Sequence, residues 1–329
     1  MSASAARRTH HLLASAALAA LLAAPCPAGD GPAPRRPRIT GLSHVALWVA
    51  NLDRSRAFYK GYLGFGEAYA LPAKDGVLLA CIKINDRQWL ELFPTSEATP
   101  RNGDSLYHVA FETDNAQRML EYLVSRGVRG PGGRPLPRAA PTGRAGNLNF
   151  FAEDPDGHIV EFVEYLPGGW TLANKGRFLP AGRISERMSH AGIVVGNLGA
   201  SLRFYEGILG FTETWRGSSD GKTLSWVNLR VPDGTDYLEL MLVGAAPDTN
   251  RLHVLHHACL EVPSVPAAEA VLRRRILPEC CKPPTPARTG INRKRQVNAY
   301  DPDGTRVEVM EPGTVDGKPA PSSEAPPPE

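Results

Sequence analysis

The chain repeats itself, and that repetition limits its possible folds more than any other feature. His44-Val-Ala-Leu-Trp-Val, followed by Ser55-Arg-Ala-Phe58-Tyr59-Lys-Gly-Tyr-Leu63-Gly64-Phe65, returns 146 residues later. The second copy reads His190-Ala-Gly-Ile-Val-Val, then Ser201-Leu-Arg-Phe204-Tyr205-Glu-Gly-Ile-Leu209-Gly210-Phe211. Asp154-Pro-Asp-Gly157 likewise returns as Asp301-Pro-Asp-Gly304. Similarity at a near-constant offset means that one structural unit is built twice. Two homologous halves are therefore expected, 39–166 and 186–311, joined by a Gly/Pro-bearing linker, 167–185. A flexible segment, 29–38, precedes them. Residues 312–329 are rich in Pro, Ser and Glu, lack the apolar residues to fold, and are expected to form a disordered tail.

Each half repeats again, more faintly. His44 opens one unit and His108 (HVAFET) another; His190 and His257 (HACLEV) do the same in the second half. His44 to Val49 alternates as a strand does, and Asp53 to Tyr62 suits a capped helix. In Asp114 to Arg126, Met119, Leu120, Leu123 and Val124 recur at helical spacing and Gly127 ends the run. Gln88 to Phe93 and His158 to Val163 are β-rich, the latter following the Asp-Pro-Asp-Gly turn. The reading is α+β, with four strand–helix–three-strand units.

Residues 1–28 read as an export signal: Arg7, Arg8, His10 and His11 precede the apolar run Leu12–Ala24, and Ala28 ends a plausible cleavage site. The protein is thus expected to be exported, periplasmic or secreted. The apolar run is too short to span a bilayer. Removing that segment takes the formal charge from +3 to +1, and no long basic block remains to meet nucleic acid or anionic lipid. The expected partner is a small-molecule substrate, and the assembly a monomer or homodimer. Cys81, Cys259, Cys280 and Cys281 show no C-x-x-C spacing, and a chain of 329 residues needs no disulfide staple.

Eight residues fall at matching places. His44, His108, His190 and His257 stand in the first strand of the four units; Glu91, Glu161, Glu239 and Glu308 stand in the last, amid WLELF, IVEFV, YLELM and RVEVM. A carboxylate between strand hydrophobes costs several kcal/mol to bury unless a cation or proton offsets it. Imidazoles and carboxylates in this pairing suit a divalent ion such as Zn, Ni, Co, Mn or Fe(II), with positions left for water or substrate. Cys259 would share the face of His257, whereas His256 should point the other way; Arg273, Arg274 and Arg275 read as the solvated end of a helix.

The residues His44-Val-x-Leu-x-Val and Arg54-Ser55-x-x-Phe58-Tyr59-x-x-x-Leu63-Gly64-Phe65 resemble the first glyoxalase I signature. The second half departs from it only at Ala191. His108-Val-Ala-Phe-Glu resembles part of the second signature, with Tyr107 in place of Gly or His. The chain thus resembles the vicinal oxygen chelate superfamily: glyoxalase I, extradiol dioxygenases, and fosfomycin- and bleomycin-resistance proteins. The resemblance implies four βαβββ modules, paired into two glyoxalase/bleomycin-resistance-like domains whose curved mixed sheets form metal-binding cups. It also implies ligand sets, either His44/Glu91/His108/Glu161 with His190/Glu239/His257/Glu308, or sets crossing between halves, such as His44/Glu91 with His257/Glu308. The sequence does not choose; the within-half sets are the preferred reading.

By family position, Glu161 or Glu308 is the catalytic base, and the implied reaction is of the lyase or isomerase kind on a substrate held through vicinal oxygens. An Fe(II) dioxygenase using two His and one carboxylate is the alternative, and a metal-free binding protein of the bleomycin-resistance type is a third reading. Phe151 and Asn298 stand where the catechol-cleaving signature has Tyr, which disfavours ordinary catechol cleavage. An exported enzyme would rarely meet glutathione, so another hydroxy-carbonyl or diol compound is the expected substrate.

Overall fold

A computed structural model describes residues 34–95, 104–244 and 252–328. The export segment, 1–28, lies outside these residues, as do residues 29–33 of the segment that follows it.

Residues of the first half form one seven-stranded sheet. Its strands are β1 (Ile39–Val49), β2 (Gly66–Ala73), β3 (Gly76–Lys83), β4 (Trp89–Pro94), β5 (Leu106–Thr113), β6 (Leu148–Glu153) and β7 (Ile159–Glu164), in the order β2-β3-β4-β1-β5-β7-β6. The second half forms an eight-stranded sheet from β8 (Arg187–Val195), β9 (Thr212–Ser218), β10 (Leu224–Arg230), β11 (Tyr237–Leu242), β12 (His257–Glu261), β13 (Arg288–Thr289), β14 (Lys294–Tyr300) and β15 (Arg306–Thr314). Its order, β13-β14-β15-β12-β8-β11-β10-β9, matches the first sheet with one short strand added. In each sheet the first strands of two units pair antiparallel at the centre, β1 with β5 and β8 with β12. Each also pairs in parallel with the last strand of its own unit. A first-strand His and a last-strand Glu therefore lie on adjacent strands, about 4.8 Å apart.

The helix expected over 53–62 is two elements. Asn51 caps α1 (Leu52–Arg56) through its side chain, and a π-turn, Ala57–Tyr62, follows; Asn197 caps α2 (Leu198–Leu202) in the same way, before a π-turn at Arg203–Ile208. The wider turn buries Phe58 and Tyr59 together, as it does Phe204 and Tyr205. Helix α3 (Val265–Arg274) ends earlier than the arginine run suggests. Arg275 is not a solvated end: it donates to the carbonyl oxygens of Tyr62 (2.8 Å) and Gly182, tying the second half to the first. In the second unit, the Pro- and Gly-rich residues 131–147 form turns and isolated bridges where a third strand was expected.

The segment read as a linker, 167–185, includes a helical turn, Trp170–Ala173, with Trp170 packed edge-on against Tyr69. The C-terminal segment read from composition as disordered lies instead along β9 and β10. Trp215 Nε1 donates to Pro321 O, Ser323 N to Arg216 O and Leu224 N to Pro326 O. Two backbone–backbone bonds and one from an indole N–H thus hold a segment that is poor in apolar residues.

Candidate metal centre and its cavity

Both sheets gather the matched residues within their own half, so the crossed ligand sets are not formed. In the first half His44 Nε2 lies 3.0 Å from His108 Nε2, 3.1 Å from Glu161 Oε2 and 3.6 Å from Glu91 Oε2. His108 Nε2 is 2.9 Å from the same Glu161 oxygen. In the second half His190 Nε2 lies 3.2 Å from His257 Nε2 and 3.2 Å from Glu308 Oε2, and His257 Nε2 is 3.5 Å from both Glu239 and Glu308. Both imidazoles and the second carboxylate of each set are buried, as is Glu239; Glu91 is slightly more open.

These separations suit a shared ion. Donors about 2.1 Å from one cation sit about 3.0 Å apart at right angles and about 3.4 Å apart at tetrahedral angles. The donor chemistry fits as well, two imidazole nitrogens and two carboxylates.

Supporting groups orient the first set. Ser43 Oγ lies 2.8 Å from His44 Nδ1 and 2.5 Å from Tyr165 OH, and Tyr165 donates to Arg87 O at 3.0 Å. Asn149 Nδ2 donates to Glu161 Oε1 at 2.8 Å, leaving the other carboxylate oxygen to the histidines. Sequence reasoning missed Asn149 and Tyr165, whose contacts with Glu161 and Ser43 join residues far apart in the chain, and Ser43, although the Ser43-His44 pair recurs as Ser189-His190. Cys259 is buried beside the second set, paired in register with His190 and Glu308, as expected. His256 points away, its Nδ1 2.7 Å from Asp104.

The electrostatics of the two sets differ. Burial disfavours a charged His44, but the Glu91 and Glu161 carboxylates outweigh it and push the imidazole up to about 9. Burial likewise opposes an ionised Glu161, yet His44 and His108 hold its carboxyl well below the usual range. The first cluster thus draws in positive charge. In the second, burial and the adjacent Arg306 guanidinium push His257 down to about 3. Burial and the neighbouring Glu308 raise Glu239.

The first set opens into a cavity of about 290 Å³. Tyr69, Leu71, Trp89, Phe93, Tyr107 and Phe151 give it mostly apolar walls, and Arg144 adds a cation. The space around Glu239 and Glu308 is about 320 Å³ and more polar, with Arg288, Asn292, Gln296 and Arg306 in its walls.

The model of the Glyoxalase/Bleomycin resistance protein/Dioxygenase superfamily matches residues 41–162 and again 187–309. The chain belongs to that superfamily. Lactoylglutathione lyase of Neisseria meningitidis is 29% identical over 137 residues, 40% of this chain and 96% of the lyase. Mitochondrial methylmalonyl-CoA epimerase of Bos taurus is 31% identical over 97 residues, 27% of this chain and 55% of the epimerase. Among solved structures, an extradiol ring-cleaving dioxygenase from B. fuscum superposes with TM-score 0.62 at 20% identity, covering 88% of this chain and 77% of that one. A Mn(II)-bound glyoxalase from Novosphingobium aromaticivorans superposes with TM-score 0.59 at 17% identity, covering 88% of each chain. The fold that spans both halves is therefore shared with a glyoxalase and with an extradiol dioxygenase.

Proposed function

We propose that this superfamily member is an exported, divalent-metal-dependent enzyme catalysing glyoxalase-like proton transfer on a small substrate bound through two vicinal oxygens. One observation carries the reading: His44, Glu91, His108 and Glu161 converge at 2.9–3.6 Å on the floor of an apolar cavity. These four residues would hold the ion, which supplies Lewis acidity to the two substrate oxygens when bound. Glu161 is the base: the Asn149 amide holds its Oε1 and orients the carboxylate, which lines the cavity where it can receive a carbon-bound proton. The aromatic and aliphatic walls exclude water from that carbon and favour an apolar body on the substrate. Arg144 suits a carbonyl or carboxylate at the far end. Export rests on residues 1–28, and secretion of a tagged full-length chain followed by N-terminal sequencing tests it.

The test is deuterium wash-in from D2O into a panel of aromatic α-hydroxyketones and hemithioacetals of phenylglyoxal, using the metal-loaded protein. Glu161→Gln should lower exchange by about 10²–10⁴-fold while metal content falls far less. Equal loss of both would make Glu161 a ligand only. A second reading has its own observation. His44, His108 and Glu161 lie within 3.1 Å of one another and Glu91 stands further out, an inner triad of the kind Fe(II) oxygenases use. Substrate-dependent oxygen uptake by Fe(II)-loaded protein, absent with Zn(II), would favour it.

A further inference from the structure

The two cups are copies in backbone but not in charge. Where His108 pairs with Ile159 on the neighbouring strand, His257 pairs in the same register with Arg306. Arg306 lies across the imidazole it faces, with Nη2 2.6 Å from Nδ1 and 3.1 Å from Nε2 of His257. Its guanidinium also lines the cup beside Glu239 and Glu308, and its Nε is buried with no hydrogen-bond partner. With imidazoles neutral, the first set carries two negative charges, and its cavity's one lining arginine, Arg144, is exposed; the second carries two offset by the Arg306 cation against its own imidazole. Like charges a few ångströms apart in a buried site repel strongly, so a divalent ion entering the second cup must displace Arg306 or sit against it.

The backbone has adapted to this arrangement. Ala46 faces His108, but its counterpart facing His257 is Gly192. A Cβ at 192 would lie 2.0 Å from Cε1 of His257 and 2.2 Å from Nδ1. The ring occupies that space, and its Nδ1 lies 2.7 Å from Leu255 O. His257 is thus seated by its own glycine and covered by its own arginine, whereas Nδ1 of His108 has no partner.

We propose that the cups are inequivalent: the first takes the divalent ion, and in the second the Arg306 guanidinium stands in the ion's place. The second cup is then a self-neutralised copy, and the chain binds one ion tightly rather than two. This rests on the metal-dependent reading above and adds to it which half works.

Mn(II) titration of the full chain, with free ion counted by electron paramagnetic resonance, tests the proposal without any substrate. One tight equivalent is expected, with any second at least 100-fold weaker. His108→Ala should abolish the tight equivalent and His257→Ala should leave it in place. Arg306→Ile, which installs the residue found at this register in the first half, should strengthen the second equivalent by at least tenfold. Two equivalents of similar affinity in the wild type would overturn the proposal, as would a tight equivalent that survives His108→Ala but not His257→Ala. The two histidine variants decide the matter even where Arg306→Ile does not fold. Binding of no Mn(II), Co(II) or Zn(II) at either cup would instead sink the metal-dependent reading itself, and this proposal with it.

Discussion

At the scale of single residues, the two halves diverge where one side chain changes what its neighbours can do. The strongest case outside the ligands is Gly192, whose missing Cβ leaves room for the His257 ring. That ring is buried, close to Leu255 O at Nδ1 and covered by Arg306, so it has no free direction in which to retreat. Gly192→Ala should therefore overpack the second cup and cost about 1–3 kcal/mol, lowering Tm by a few degrees. Ala46→Gly, the mirror change, should cost only about 0.5–1 kcal/mol through strand flexibility. Thermal unfolding of the two variants side by side checks this, and equal losses would show that the His257 ring is free to move. The eight matched His and Glu residues were legible because the repeat puts them in equivalent slots, and β-strand pairing then brings such slots together. The exchange of Ile159 for Arg306 is visible in the same alignment of halves. Its meaning was not, because only the parallel register of β12 and β15 puts Arg306 against His257.

At the scale of elements, the Asp-Pro-Asp-Gly turns show how much a local motif leaves unsaid. The sequence correctly marks them as turns that set strand register, and Asp154 N and Asp301 N bond across them to His158 O and Thr305 O. Their carboxylates also reach the other half. Asp154 accepts from Tyr205 OH (2.9 Å) and Asp301 from Tyr59 OH (3.0 Å); Asp156 accepts from Gly196 N and Ser201 Oγ, and Asp303 from Ala50 N. Partners 40 to 253 residues away cannot be read from spacing within a turn. The two turns also titrate in opposite senses. Burial works against an ionised Asp154, but His158 beside it holds the carboxyl below its usual range. In the other turn Thr305 replaces His158, and burial together with Asp303 pushes Asp301 up from 3.8 to about 7. A carboxyl raised on folding gives its full stabilising contribution below its unfolded pKa and loses it as pH rises through the folded value. Between about pH 4 and 7 the wild type should thus lose stability through Asp301, on the order of 4 kcal/mol at most. Asp301→Asn removes that titration. Urea unfolding at several pH values should show the variant gaining on the wild type as pH rises to 7, and an unchanged gap would refute the assignment.

At the scale of the whole molecule, the halves look like two domains in sequence but share one interior. A single apolar cluster runs from Ile39 through Phe111 and Phe211 to Val309, with Phe111 and Phe211 edge to face at 5.1 Å. Buried polar groups also cross the junction. Gln88 donates to Met188 O and accepts from Met188 N, and Asp236 accepts from Leu42 N and from Gln88. Separating the halves would leave these donors and acceptors without protein partners and would expose the shared apolar surface, so neither half has a complete core alone. The duplication was legible from the repeat, but this fusion was not, because the periodicity of a strand shows that it has a buried face without showing what covers it. The chain should consequently unfold in one transition. Tryptophans report on both halves, Trp48, Trp89 and Trp170 on the first and Trp215 and Trp226 on the second. Tyr59→Phe and Tyr205→Phe each remove one hydroxyl donor across the junction, and each should shift the same midpoint, by about 1–2 kcal/mol. Replacing the tryptophans of one half at a time by Phe, in each tyrosine variant, lets urea curves be read for each half separately. Coincident curves that move together support a single cooperative body; a midpoint that moves in one half only would mean that the two cups fold and fail independently.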